Sequence, residues 1–219
     1  MEITPEIKEI VKGFFEAKVI QINTTNLFQL SSGKASPIYL DHRKIFSYPS
    51  LRKLITQEWA QLIRQKLRPY FEKEKNIVFA GTATAGIAPA YALAEYFSAG
   101  FVYVRAKPKD HGLKSVIEGV LPHNANIIVV DDMVTTGGSI LHCAENIRHE
   151  EHKVIATTSI SYHNLNKTMS LFKKKQIDLI SLFKTTDILD IAYKMNFVDS
   201  KEMRSIMEWL TSLDDLNSI

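Results

Sequence analysis

An α/β fold, with a mostly parallel central sheet flanked by helices, is predicted by three features of the sequence. Short apolar runs of strand length alternate with segments of helical periodicity across residues 77–183. The runs IVFA (77–80) and IIVV (127–130) are apolar at every position, as strands covered on both faces are. Glycine- and threonine-rich turns follow these runs, at the carboxyl ends of strands where such sheets hold ligands.

Each element has a local cause. Thr4-Pro5-Glu6 opens a helix with a hydroxyl cap and a proline at the first helical position, and Ile7, Ile10, Val11 and Phe14 then share one face. Strand-like pieces are expected near 28–30 and 37–41. Tyr48-Pro49-Ser50 opens a second helix, whose Leu51, Leu54, Ile55, Trp59, Leu62, Ile63 and Leu67 form a continuous stripe. The alternation predicts strands over 77–80, 101–105, 127–130, 154–161 and 177–183, and helices over 87–97, 139–149 and 165–175. Two more helical stripes close the chain: Ile188, Ile191, Ala192 and Met195, then Met203, Ile206, Met207 and Leu210. Residues 106–126, AKPKDHGLKSVIEGVLPHNAN, break this rhythm, and a loop of that length is expected to be a lid or a binding loop.

Composition narrows the function classes. The 219 residues suit one domain, and 45% apolar content supplies a core. A net charge of +3 makes no case for nucleic acid, while a pI of 8.8 leaves room for a local anion site. A single cysteine, Cys143, excludes an intrachain disulfide and fits a reducing, cytoplasmic setting. It shares a helical face with Ile140, Ala144 and Ile147, so a small buried hydrophobe is expected rather than a nucleophile. The amino terminus lacks the pattern of a secretory signal, and no run approaches the ~18 apolar residues of a membrane span. Lys173-Lys174-Lys175 reads as a solvated helix end. His149-Glu150-Glu151-His152 is one residue short of the H-E-x-x-H zinc spacing.

The chemistry concentrates in IIVVDDMVTTGGSI (127–140). If the strand ends at Val130, Asp131 and Asp132 lie beyond it and face a site. Gly137 and Gly138 let backbone amides converge on an anion, Thr135, Thr136 and Ser139 add hydroxyls, and the next helix offers its positive end. Acids for hydroxyls beside amides for a phosphate describe a sugar phosphate. A Walker loop is excluded because Ser139 stands where its lysine belongs, and G-x-G-x-x-G is absent. Residues 81–86 form a second small-residue turn between strand and helix; a pyrophosphate-binding turn and an ordinary helix start both account for it.

VVDDMVTTGGS resembles the phosphoribosyl-pyrophosphate signature of the type I phosphoribosyltransferases. SSGKASPIYLDHR (31–43), AGTATAGIAPA (80–90) and VRAKPKDHG (104–112) are similar to orotate phosphoribosyltransferases, in the same order along the chain. The resemblance implies the type I phosphoribosyltransferase fold in one domain. Residues 1–45 would carry an N-terminal helix and a small base-site hood, residues 46–183 the core sheet with a flexible catalytic loop at 106–119, and residues 184–219 the last helices. It implies transfer of phosphoribosyl from phosphoribosyl pyrophosphate to orotate, with Mg²⁺ held mainly by substrate oxygens and water and few direct protein ligands. Asp131 and Asp132 would bind the ribose hydroxyls, and Thr135, Thr136, Gly137, Gly138 and Ser139 the 5′-phosphate. Thr82, Ala83, Thr84 and Arg105 would meet pyrophosphate. Lys109 and His111, with Lys107, would act from the loop in a homodimer, across the interface; a solvated basic loop is the competing account of Lys107. Tyr39 would stack on the pyrimidine and Arg43 would pair with its carboxylate, although ordinary strand residues read the same way. Ser31, Thr84-Ala85 and Ala106 stand where some relatives carry lysine or Tyr-Lys, and the nearest counterpart of a base-binding arginine is His163. The alternatives are transfer to another base, or a regulator that senses the donor.

Overall fold

A computed structural model describes residues 3–30, 33–72, 76–106 and 116–215. Lys107, Lys109, His111 and Ser31 lie outside the described residues.

Helix α1 (Pro5–Glu16) starts where Thr4 Oγ1 accepts the Ile7 N–H at 3.3 Å, and it buries Ile7, Ile10, Val11 and Phe14. Four short strands follow: β1 (Ile20–Ile22), β2 (Phe28–Gln29), β3 (Ala35–Ser36) and β4 (Ile38–Leu40). β1 pairs antiparallel with β4, and β2 with β3, as two ribbons outside the main sheet. A 3-10 turn (His42–Ser47) leads into α2 (Pro49–Lys66) and α3 (Arg68–Phe71). The core then alternates: β5 (Ile77–Thr82), α4 (Ile87–Phe97), β6 (Gly100–Val104), β7 (Ile117–Glu118), β8 (Asn126–Val134), α5 (Gly138–His149), β9 (Lys153–Tyr162), α6 (Asn166–Lys174) and β10 (Leu179–Lys184). Helices α7 (Thr185–Lys194) and α8 (Ser200–Asp215) close the described chain.

The main sheet runs β10-β9-β8-β5-β6-β7, parallel throughout except for β7, which pairs antiparallel with β6. Consecutive apolar strand residues serve two cores, one on each face. One packs Phe14, Trp59, Phe79 and Phe183 with α1, α2, α4, α7 and α8. The other packs Val78, Val102, Ile127, Val129, Ile140, Cys143 and Phe172 with α5 and α6. Trp59 also donates from Nε1 to Thr158 Oγ1 at 2.6 Å, so its one polar group is satisfied inside the core. Cys143 is buried and its thiol is pushed up by burial, as expected of a small hydrophobe. No helix among the described residues is long and apolar enough to cross a membrane.

Two expectations change. The strand does not stop at Val130: β8 continues through Val134, and Asp131 is part of it. The reason is non-local. Strand β5 pairs with β8 only as far as Gly81 opposite Val130, but β9 follows β8 to Tyr162 opposite Val134. The acids therefore project past the sheet on one side and are hydrogen-bonded into it on the other. The long loop is also less irregular than its composition suggests, because Ile117 and Glu118 return along the open edge of β6.

Candidate active site

Strand order reverses between β5 and β8: the chain moves outward from β5 to β6, then from β8 to β9 and β10 on the other side. Crevices at such switch points are where open α/β sheets bind ligands. Two loops meet there, residues 83–86 after β5 and residues 135–137 after β8.

The first loop is pressed against the strand ends. A Cβ on Gly86 would lie 2.4 Å from Thr82 Oγ1 and from the Val130 carbonyl oxygen, and one on Gly81 would lie 2.6 Å from the Gly86 carbonyl oxygen. Only glycine permits this approach. Helix α4 begins at this loop with no side-chain cap, and the Ala83–Thr84 peptide is cis. Thr82 Oγ1 is buried without a hydrogen-bond partner. It lies close enough to Asp131 to offset part of that acid's pKa rise, without reaching hydrogen-bonding geometry.

The second loop ends at Gly137, whose φ of +80° is the left-handed conformation glycine tolerates. A Cβ there would lie 2.8 Å from Phe172 Cε2. Gly138 differs: its Cβ would meet nothing closer than Thr136 Oγ1 at 3.8 Å. Helix α5 starts at Gly138 with no side-chain cap, and Thr135, Thr136 and Ser139 around that start are exposed. Thr168 Oγ1 holds the Thr135 carbonyl at 2.9 Å and fixes the loop from behind.

Asp131 is only 8% exposed. Burial, followed by the charge of Asp132, pushes its pKa up to about 7. Asp132 is partly exposed, yet burial raises it too, while Asp131 and Arg43 act in the opposite direction. The Asp132 N–H donates to Asp131 Oδ1 at 3.0 Å. Two adjacent acids that resist ionising are a standing demand for hydroxyl donors or a cation.

Arg43 lies on the 3-10 turn, where its Nε donates to Asp41 Oδ1 at 2.6 Å. That bond lowers Asp41 and raises Arg43, and Asp132 adds to the rise in Arg43. The 3-10 turn is thus joined electrostatically to the acid pair. Tyr39, half-buried on β4, leans on Phe28 at 5.7 Å between ring centroids. At the foot of the long loop, Arg105 N–H bonds the Val116 carbonyl at 2.9 Å, and its guanidinium lies 3.5 Å from Glu118. His163 differs from the expectation attached to it. It is 6% exposed, its Nδ1 is 3.0 Å from Thr185 Oγ1, and burial pushes its pKa down to about 4. A neutral imidazole supplies no cation for a carboxylate. Sequence reasoning passed over His42, buried beside Ser161 Oγ at 3.2 Å, and Trp209, discussed below. His42 sits inside the quoted segment 31–43 without standing out there, and Trp209 lies in no motif.

A family model described as the phosphoribosyl transferase domain matches residues 51–189, which sets the class of protein: a phosphoribosyl-transferring fold with both loops inside the match. Curated orotate phosphoribosyltransferases extend the likeness to nearly the whole chain. That of Porphyromonas gingivalis is 34% identical over 94% of this chain and 95% of its own length, and that of Enterococcus faecalis is 34% identical over 94% and 96%. The chain belongs to the orotate phosphoribosyltransferase family. Among solved structures, the orotate phosphoribosyltransferase of Aeropyrum pernix is 25% identical with a TM-score of 0.72, covering 87% of this chain and 99% of that one. A Leishmania donovani UMP synthase shares the fold at 23% identity and a TM-score of 0.76, and there this chain, 94% covered, spans 42% of the larger protein.

Proposed function

We propose that the chain transfers the 5-phosphoribosyl group of phosphoribosyl pyrophosphate to orotate, giving orotidine 5′-monophosphate and pyrophosphate. The observation that carries this reading is the pairing of two reluctant acids with an uncapped Gly-Gly helix start at the switch point of the sheet. An orotate ring nitrogen forms the new bond to ribose C1 as the bond from C1 to the pyrophosphate oxygen breaks. Asp131 and Asp132 accept the ribose hydroxyls and stabilise positive charge that develops on the ring. Thr135, Thr136, Ser139 and the first amides of α5 hold the 5′-phosphate. Thr82, Ala83, Thr84 and Arg105 receive the pyrophosphate, and Lys107, Lys109 and His111 reach it when the loop closes. Tyr39 and Arg43 present the acceptor side.

Mg²⁺ suits these residues. Asp131, raised toward neutrality by burial and its neighbour, regains its charge beside a cation. Among the described residues no cluster of three or more His, Cys, Asp or Glu side chains could hold a metal ion, so Asp131 and Asp132 would act through its water and substrate shell. When bound, the ion neutralises pyrophosphate charge. The cytoplasm and a homodimer complete the proposal, with the loop serving the partner's site.

A spectrophotometric assay of orotate consumption with phosphoribosyl pyrophosphate and Mg²⁺ tests it. The expected result is orotate loss that depends on both. A preference for uracil or a purine would overturn the base assignment, and tight donor binding without turnover would point to a sensor.

A further inference from the structure

The hood hairpin is too small to hold itself. β2 and β3 contribute two residues each, closed by the Leu30 N–H to Lys34 carbonyl bond at 2.9 Å and the Gly33 N–H to Leu30 carbonyl bond at 2.8 Å. An isolated hairpin is marginal in water even when longer. It leans on contacts from outside, Phe28 on Tyr39 and Ser36 on Ile38 among them, and one comes from a helix late in the chain. Trp209, on α8, donates from Nε1 to the Ala35 carbonyl at 2.9 Å.

The same indole meets His163 edge to face, with ring centroids 5.6 Å apart at 87°. His163 is a fixed point. Besides its bond to Thr185, its N–H bonds the carbonyl of Val134, the last residue of β8, at 3.1 Å. Helix α8 is fixed too: Ile206 and Leu210 are buried, and Asp214 Oδ2 accepts the N–H of Asn166 at the start of α6 at 3.1 Å. On the hairpin, Ser36 follows Ala35 and pairs with Phe28, whose ring supports Tyr39. An unbroken series of contacts links the end of the acid-bearing strand to the ring assigned to the base, and Trp209 is its middle member.

We infer that Trp209 is a positioning residue for the acceptor base: its indole clamps the β2–β3 hairpin to the sheet end at His163 and so sets the placement of Tyr39. The role of Tyr39 rests on the function proposed above; the clamp itself does not. A purely packing role would need only the aromatic face. The hydrogen bond to Ala35 needs the indole N–H.

Trp209→Phe separates the two, because it keeps a ring against His163 and removes the donor. Loss of one partly exposed neutral hydrogen bond corresponds to about a three- to tenfold effect. The expected result is an orotate KM raised by about that factor, a donor KM within about twofold of wild type, and little change in Tm. An unchanged orotate KM, or equal rises in both KM values, would overturn the inference. Hydrogen exchange of the amides of residues 28–30 and 33–36, in protein without substrate, reads the clamp directly. Faster exchange in Trp209→Phe than in wild type is expected, and unchanged exchange overturns the clamp whatever base the enzyme uses. If wild-type protein consumes no orotate, the base reading falls alone, and exchange still decides the clamp.

Discussion

Replacing Asp131 by Asn should make the protein more stable and a poorer binder of its donor at once. An acid whose pKa is raised on folding holds its proton more tightly in the folded chain than in the unfolded one. Its cost to stability is absent below pH about 4, grows between about 4 and 7, and is complete above that range. For Asp131 the rise runs from 3.8 to about 7. Three units at about 1.4 kcal/mol each set a ceiling of about 4 kcal/mol. Asp132 shares the titration, so about 2 kcal/mol is the expected gain at pH 8. For a chain of this length that is a Tm rise of about 4–8 °C. The amide oxygen of the substituted side chain can still accept the Asp132 N–H, so the local turn survives. The assay is thermal unfolding of wild type and Asp131→Asn at intervals from pH 4 to 8, with calorimetric titration of phosphoribosyl pyrophosphate at pH 8. The Tm gain should vanish near pH 4, and donor affinity should fall, further still with Asp132→Asn added, because a neutral amide accepts a hydroxyl less strongly. A Tm loss at pH 8, or a shift independent of pH, would refute the electrostatic account. Unchanged donor affinity in the double variant would remove both acids from the ribose site.

The two loop glycines should respond differently to alanine. Gly137→Ala meets both a φ of +80° and Phe172 Cε2 at 2.8 Å, so a stability loss of about 1–3 kcal/mol is expected in denaturant melts. Gly138→Ala has open space around its methyl, so the melt should barely move while donor KM rises if the methyl enters the proposed phosphate cradle. Arg43→Ala should raise orotate KM by roughly one to two decades and spare the donor, and equal damage to both would assign Arg43 to the acid pair it already senses. Mixing Lys109→Ala protein with the Asp131→Asn, Asp132→Asn double variant should restore activity through hybrid dimers; failure despite proven subunit exchange would place each loop over its own site.

Local chemistry made much of this molecule legible, and the limits of legibility have a common cause. The helix at Ile87–Phe97 was readable to the residue because a small-residue turn precedes a run of strong helix formers. The turn into α5 is legible because glycines after a strand mark a bend, and Gly137 adopts the left-handed φ that glycine tolerates. The end of β8 was not: charge at Asp131 reads as a boundary, whereas the true boundary depends on how far β9 follows. His163 is hidden in the same way, since its neutrality comes from burial and its ring partner, Thr185, lies 22 positions away. The paired residues of β2, β3 and β7 are too few to show periodicity, and they are strands only because something lies beside them. Interactions close in sequence leave a pattern, whereas those made by folding do not.

The separation of the two ribbons from the main sheet bears on how this protein could be re-engineered. The residues proposed for the donor lie at the ends of strands covered on both faces and on the loops that follow them. Tyr39, proposed for the acceptor, sits on the peripheral β1–β4 ribbon, beside a hairpin that Trp209 of a distant helix reaches. If Tyr39 meets the base as proposed, a library confined to residues 28–40, with Trp209 left in place, would vary the choice of nucleobase while leaving the strand-end loops intact. Transplanting that segment alone into a related scaffold should raise orotate KM unless the matching tryptophan travelled with it. On the proposed roles of Tyr39 and Trp209, the unit of inheritance for base choice would be a discontinuous pair of segments, and recombination between homologues would preserve it only when both ends of the gene come from the same parent.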